Sequence, residues 1–266
     1  MKVFAETERL ILREILPTDI EGMFELDSNP TVHKYLGNKP VKTKSETEKI
    51  IEFIRQQYDE RGIGRWAVIE KLSGDFIGWS GIKFNTGEKD SLNEKQDFYD
   101  IGYRFIPRYW GKGYATESAL VALDYGFKVK QYETIAGIAL IENIDSNNVL
   151  RKIGLKHIED FKYEDTKASW YELTKEDYET FINKKRRREQ YVKNREKILK
   201  QKKERYQNDK AFREKTKKYY KEKYQTDINY KEQTLEKAKN RYHEDENYRE
   251  KTIQRAKENR KKYRKS

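Results

Sequence analysis

The chain has no cysteine and only 3 histidines, scattered at positions 33, 157 and 243. Disulfides, thiolate metal sites and a catalytic thiol are therefore excluded, and so dispersed a histidine set does not suggest a metal centre. No apolar run approaches the ~18 residues that read as a membrane span, and the first residues lack a signal-peptide core. The expectation is a soluble, cytoplasmic protein without a bound metal. Proline and glycine are rationed: all 4 Pro, all 14 Gly and all 4 Trp precede residue 171.

Toward its C-terminal end the chain becomes strongly basic. Residues 184–266 hold 32 of the 58 Lys+Arg and 14 of the 46 Asp+Glu, a net of +18. Subtraction leaves 26 basic and 32 acidic residues in 1–183, a net of −6, so the overall +12 joins an acidic domain to a very basic tail. A domain of 1–183 is long enough to bury a core. The tail of 184–266, poor in aliphatic residues and without Gly or Pro, is not.

The stretch DIGYRFIPRYWGKGYATE, residues 100–117, organises the first domain. Ile101, Tyr103, Phe105 and Ile106 suit a half-buried strand, and Pro107 ends its pairing. From Ala115 onward, Ala119, Ala122, Leu123 and Phe127 recur at helical steps. Between strand and helix lies Arg108-x-x-Gly111-x-Gly113-x-Ala115. A helix start offers free N–H groups and the positive end of the dipole, and therefore attracts phosphate. Glycines at 111 and 113 let a diphosphate approach those groups, while Arg108 and Lys112 add charge. A dinucleotide fingerprint would need glycine at Thr116, and a P-loop a hydroxyl residue straight after Lys112; neither is present.

Ile101-Gly102-Tyr103, followed by Pro107-x-Tyr109-Trp110-Gly111-Lys112-Gly113-Tyr114-Ala115-Thr116-Glu117, resembles the acetyl-CoA-binding motif of the GNAT N-acetyltransferases. It is most similar to the branch containing the ribosomal-protein N-terminal acetyltransferases. A second motif, Glu142-Asn143-x-x-Ser146 followed by Lys152-Ile153-Gly154, stands in the matching order. The similarity runs from Thr7-Glu8-Arg9-Leu10 to about Tyr178 and leaves the tail uncovered.

Strands are predicted over residues 9–15, 66–69, 76–84, 100–106, 134–141, 155–163 and 168–173, with helices behind Thr18 or Asp19, behind Thr43 and Ser45, from Ala115, and over 146–153. Gly62 stops the second helix, and the polar residues 86–96 form a loop. The resulting α/β (mixed α+β) class, a mixed central sheet flanked by helices, is the GNAT fold the resemblance implies.

The resemblance implies direct transfer of acetyl from acetyl-CoA to a primary amine, with no covalent enzyme intermediate. Free backbone N–H groups at Arg104, Phe105 and Ile106 would polarise the thioester carbonyl and hold the pantetheine. The turn from Arg108 to Thr116, with Trp110, Lys112 and Tyr114, would hold the diphosphate. Asn143 would bond pantetheine or substrate. Ser146 reads equally as the hydroxyl that protonates the thiolate and as a helix N-cap. Leu150 stands where some branches keep a tyrosine acid. Asp100 is the candidate base, acting through one water, although relatives carry Glu in this context. Tyr103 orients water or packs. His33, Trp66 and Trp79 are candidate walls of the acceptor pocket.

The expected acceptor is a protein N-terminus. A small amine such as an antibiotic or polyamine is the alternative, favoured by the acidic domain. A reading of another class is a nucleic-acid-binding protein whose first domain only binds CoA, or nothing.

The tail repeats every 18 residues: Tyr206, Tyr224 and Tyr242; Asp209, Asp227 and Asp245; Phe212, Tyr230 and Tyr248; Thr216, Thr234 and Thr252. Eighteen residues are five helical turns, which predicts a long straight helix; the alternative is a separate helix capped by each Asp. Ion pairs such as Glu214–Lys218 and Glu258–Lys262 would support it. Lys184-Lys185-Arg186-Arg187-Arg188 and later clusters, interleaved with nine tyrosines, suit contact with phosphates and bases of RNA, DNA or the ribosome.

Overall fold

The computed structural model describes residues 1–263, with side chains for all of these except 89 and 261–263. The chain divides into two compact units, Met1–Arg186 and Arg187–Ser266.

The first unit is built on one eight-stranded sheet. Its strands are β1 (Val3–Glu6), β2 (Leu10–Arg13), β3 (Arg65–Glu70), β4 (Phe76–Asn85), β5 (Phe98–Phe105), β6 (Thr134–Leu140), β7 (Lys156–Tyr163) and β8 (Thr166–Thr174). They lie in the order β1-β2-β3-β4-β5-β6-β8-β7. Every neighbouring pair is antiparallel except β5 and β6, which are parallel and share a single paired position, Asp100 with Ala136. Strand β1 has no counterpart in the sequence reading. It is only four residues long, and its Phe4 is secured by stacking on Trp66 at 4.5 Å.

Helices α1 (Ile20–Asp27), α2 (Pro30–His33) and α3 (Lys44–Arg61) precede β3. The Thr43 hydroxyl accepts from the Glu46 N–H to start α3, whose buried Thr47, Ile51, Ile54 and Gln57 recur at three- and four-residue steps. Gly62, at φ +63°, ends it in the left-handed conformation that glycine adopts without strain. Helix α4 (Tyr114–Asp124) continues into a π-turn, Tyr125–Val129. Its fully buried Ala119, Ala122 and Leu123 share one core with Ile82, Ile101 and Ile135 of the sheet. Helix α5 (Ile144–Lys152) follows β6. Helix α6 (Lys175–Asn208) begins by burying Tyr178, which stacks on Phe127 at 4.7 Å and donates to Asp124.

Along the tail the expected single long helix is broken into the later part of α6 and α7 (Lys210–Thr226), α8 (Ile228–Glu244) and α9 (Glu246–Tyr263). The breaks fall at Asp209 and Asp227, which take extended φ of −101° and −105°, and at Asp245, at −107°. Each Asp carboxylate accepts from the N–H three residues on, at Phe212, Tyr230 and Tyr248, over 2.8–2.9 Å. A short acidic side chain that satisfies orphan helix donors competes with helix continuation. The ring three residues after each Asp is covered by the cation four residues before it: Arg205 on Phe212, Lys223 on Tyr230 and Arg241 on Tyr248, at 4.4–4.7 Å. The 18-residue repeat is thus a repeated junction as well as a helical period. Glu214 pairs with Lys217 at 3.0 Å in place of the expected Lys218, and Lys262 of the expected Glu258 pair lies outside the described side chains.

Candidate active site

Beyond Asp100, strand β5 keeps its ladder with β4 as far as Gly78–Phe105 but has no further pairing with β6. In a ladder the N–H groups point alternately to the two sides. Ile106 donates to the Ile77 carbonyl at 3.0 Å, on the β4 side, and Arg104 is in phase with it. The donors facing the gap are therefore those of Phe105 and Tyr103. Of the three expected backbone donors only Phe105 faces the gap; Tyr103 takes the place assigned to Arg104 and Ile106.

At the end of β5 the chain turns through Pro107–Tyr109 into α4. Gly111 and Gly113 have φ of +73° and +82°, a conformation that side chains with a Cβ disfavour. No side chain caps α4, whose first intrahelical bond runs from the Glu117 N–H to the Gly113 carbonyl. The N–H groups of Gly113, Tyr114, Ala115 and Thr116 therefore lack an intrahelical partner. This arrangement fits a diphosphate. The Tyr114 side chain is not part of it, since its ring is buried and its hydroxyl donates to Glu70. The Arg108 side chain pairs with Glu25 of α1 and remains half exposed. Lys112 stays exposed, with its ammonium over the Tyr109 ring at 5.0 Å. The Trp110 indole donates to the Phe105 carbonyl at 2.6 Å and remains about half exposed.

The turn is braced by residues the sequence reading did not single out as site residues. Arg9 donates to the Lys112 carbonyl at 3.0 Å and to Glu117 at 2.8 Å, and Thr7 donates to the same carboxylate. Partial burial works against ionisation of Glu117, but the hydrogen bonds from Thr7 and Arg9 outweigh it and hold the carboxyl below its ordinary range. The only sequence signal for this brace was the Thr7-Glu8-Arg9-Leu10 start of the family similarity.

Across the gap, Asn143 accepts from the Ser146 N–H at 3.1 Å and so caps α5. The N-cap role considered for Ser146 belongs to Asn143, one turn earlier. The Tyr103 hydroxyl reaches Ser146, 3.0 Å from its carbonyl oxygen and 3.1 Å from its Oγ. Burial pushes the phenol well above its ordinary range and outweighs the opposing effect of Ser146. Asn147, bonded to the Leu140 carbonyl and to the Tyr171 hydroxyl, fixes the same turn of α5. Leu150 lies in the core.

The opposite face of β5 carries Asp100, Gly102 and Arg104, since side chains alternate along a strand. The Asp100 carboxylate accepts from Arg65 at 2.6 Å and from Asn85 at 2.7 Å. The Arg65 and Arg104 guanidinium carbons lie 5.4 and 5.0 Å from the Trp79 ring. Arg104 in turn donates to the buried Asp27 at 2.5 Å, and His33 lies buried near them. Trp66 is not here. It pairs with Ser80 while Ala67 pairs with Trp79, so the two tryptophans face opposite sides of the sheet, and Trp66 is fully buried against Phe4 and Tyr125. A cavity of about 340 Å³ opens beside Asp100, between Phe98, Ile138 and Tyr163 and residues 90–92 of the polar loop. No cluster of potential metal ligands occurs among the described residues, and no described helix is long and apolar enough to cross a membrane.

Residues 9–156 match the acetyltransferase (GNAT) domain family. YoaA, an uncharacterized N-acetyltransferase of Bacillus subtilis, is 30% identical over 151 residues, covering 57% of this chain and 81% of its own. The spermidine N(1)-acetyltransferase of Escherichia coli is 26% identical over 144 residues, 54% of this chain and 70% of its own. The crystal structure of a GNAT-family acetyltransferase from Bacillus anthracis, 28% identical, aligns with a TM-score of 0.53 over 66% of this chain and 99% of that one. The chain belongs to the GNAT family as an acetyl-CoA-dependent N-acetyltransferase.

Proposed function

We propose that the acceptor is the α-amine of a polypeptide, entering on the Asp100 face while acetyl-CoA lies on the α4 side of the gap. The observation that carries this reading is the Arg65–Trp79–Arg104 stack beside Asp100. The carboxylates there are already taken, Asp100 by Arg65 and Asp27 by Arg104, so this face offers little to the further ammonium groups of a polyamine. The motif similarity to the ribosomal-protein branch supports the same class.

Bound in the gap, acetyl-CoA supplies the acetyl thioester. The N–H groups of Phe105 and Tyr103 polarise its carbonyl. Asp100, through one water shared with Arg65 and Asn85, takes the proton of the incoming ammonium. As the C–N bond forms and the C–S bond breaks, the second proton leaves the nitrogen to water, Ser146 Oγ gives a proton to sulfur and recovers one from the Tyr103 hydroxyl, and water restores the phenol. The test is release of free CoA thiol with a panel of unblocked peptides against spermidine. Higher kcat/KM on peptides supports the reading, and a preference for spermidine overturns it.

The tail of 184–266, with its net charge of +18 and its stacked cation–ring junctions, is assigned to phosphate-rich nucleic acid. Affinity of the full chain for single-stranded RNA falling linearly with the logarithm of salt concentration is the expected result. Salt-insensitive binding, or none, refutes it.

A further inference from the structure

We propose that His33 and Arg104 form a subsite that hydrogen-bonds the carbonyl oxygen of the acceptor's first residue. The assignment rests on the peptide reading above. His33 ends α2, a short helix capped by Asn29, and its carbonyl accepts from the N–H groups of Leu36 and Asn38, so its backbone is fixed. Its side chain is only 6% exposed and lies by the Asp27 backbone, yet neither Nδ1 nor Nε2 makes a well-formed hydrogen bond. Arg104 Nε is likewise buried and unpartnered. Buried polar atoms are almost always satisfied. Unsatisfied atoms on two neighbouring buried residues therefore point to a polar group that binds there.

The charges around them narrow its chemistry. Arg104 is held by Asp27 at one end of its guanidinium and by the Trp79 face beneath, so its charge is already compensated and its orientation set. Burial and the neighbouring Arg104 cation disfavour protonation of His33, which leaves a neutral ring with one donor and one acceptor nitrogen. Neutral or compensated donors suit a neutral oxygen. They offer little to a second ammonium, and a carboxylate would compete with Asp27 for Arg104. An amide carbonyl two bonds from the reacting amine, found at every peptide N-terminus and absent from polyamines, matches this donor set. Arg104 lies past the point where β5 and β6 part, on the face that Asp100 shares, and its side chain remains about one-fifth exposed for entry.

The test uses the full-length protein with two acceptors, an alanine-initiated hexapeptide and propylamine, a monoamine without the carbonyl. His33→Leu is expected to raise KM for the peptide about tenfold, the usual scale of one lost buried hydrogen bond, while changing kcat/KM on propylamine no more than about twofold. His33→Gln, which restores a donor and an acceptor, is expected to recover most of the loss. Arg104→Lys keeps a cation for Asp27 and removes the Nε donor, so it should show the same peptide-specific loss; it carries the test if His33→Leu does not fold. Equal losses on both acceptors, or none on the peptide, overturn the subsite, as does a buried water as the only occupant of the site in a peptide complex. Acetylation of spermidine but not of any peptide overturns both the subsite and the peptide reading. Peptide acetylation with no selective loss overturns the subsite alone.

Discussion

The Tyr103 hydroxyl lies 3.1 Å from Ser146 Oγ, tying β5 to the first turn of α5 across a gap that has no strand pairing of its own. Burial keeps the phenol protonated through neutral pH, so it can donate and never competes as a base. If the two act in series, Ser146→Ala should lower kcat by about a hundredfold, the scale of general-acid contributions, and Tyr103→Phe by about tenfold. The double variant should be no slower than Ser146→Ala alone. Steady-state thiol release checks this, with acetyl-CoA Kd in each variant as the control. Multiplicative losses in the double variant would mean that the hydroxyls act independently.

The start of α4 makes a separate prediction. A Gly111→Glu, Gly113→Glu double variant places side chains at φ of +73° and +82° and adds two carboxylates beside the free N–H groups. The backbone strain is about 1–2 kcal/mol per residue, and charge repulsion adds to it. Calorimetric titration of the full chain should show acetyl-CoA affinity reduced at least a hundredfold. Unchanged affinity would place the diphosphate elsewhere.

Much of this site was legible because its signals are local. Pro107, Gly111, Gly113 and the apolar period after Ala115 report on residues within one turn of themselves, and Thr43 and Gly62 mark both ends of α3 in the same way. The partners of Arg108 and Asp100 were not legible, since Glu25 and Arg65 lie 83 and 35 residues away and only the fold brings them near. Trp66 and Trp79 were read as one wall because sequence does not reveal pairing register. A register shift between Val68 and Ile69 removes any simple count back from the hairpin turn, and the two rings lie on opposite faces. In the tail, 18 residues satisfy five helical turns and also the spacing of Asp caps, so periodicity alone does not separate an unbroken helix from capped segments.

Glu117 couples the start of α4 to pH. Its carboxylate is stabilised in the folded state by Thr7 and Arg9, so it ionises below the ordinary value of about 4.5. A depressed acid stabilises the fold fully above its unfolded pKa, and the contribution fades as pH falls through the folded value. Glu117→Gln should therefore lower Tm at pH 7, with the difference from wild type shrinking below about pH 4.5. A Tm difference that stays constant down to pH 3 would show that packing, not charge, is what the substitution removes.

The junction at Asp227 allows the origin of the tail's breaks to be measured. Its carboxylate accepts from the Tyr230 N–H at 2.9 Å, while Lys223 lies over the Tyr230 ring at 4.7 Å. Asp227→Ala removes a cap worth about 1 kcal/mol and substitutes the strongest helix former. The donors at the start of α8 then find partners only if α7 and α8 fuse. Spin labels at positions 216 and 238 would be separated by about 33 Å of continuous helix axis, from 22 residues at 1.5 Å each. The variant should move toward that distance, and the wild type, interrupted at Asp227, should fall short of it. If the distance does not change, the cation–ring packing of Lys223 and Tyr230 fixes the break by itself, and Lys223→Ala in the Asp227→Ala background should then straighten the segment.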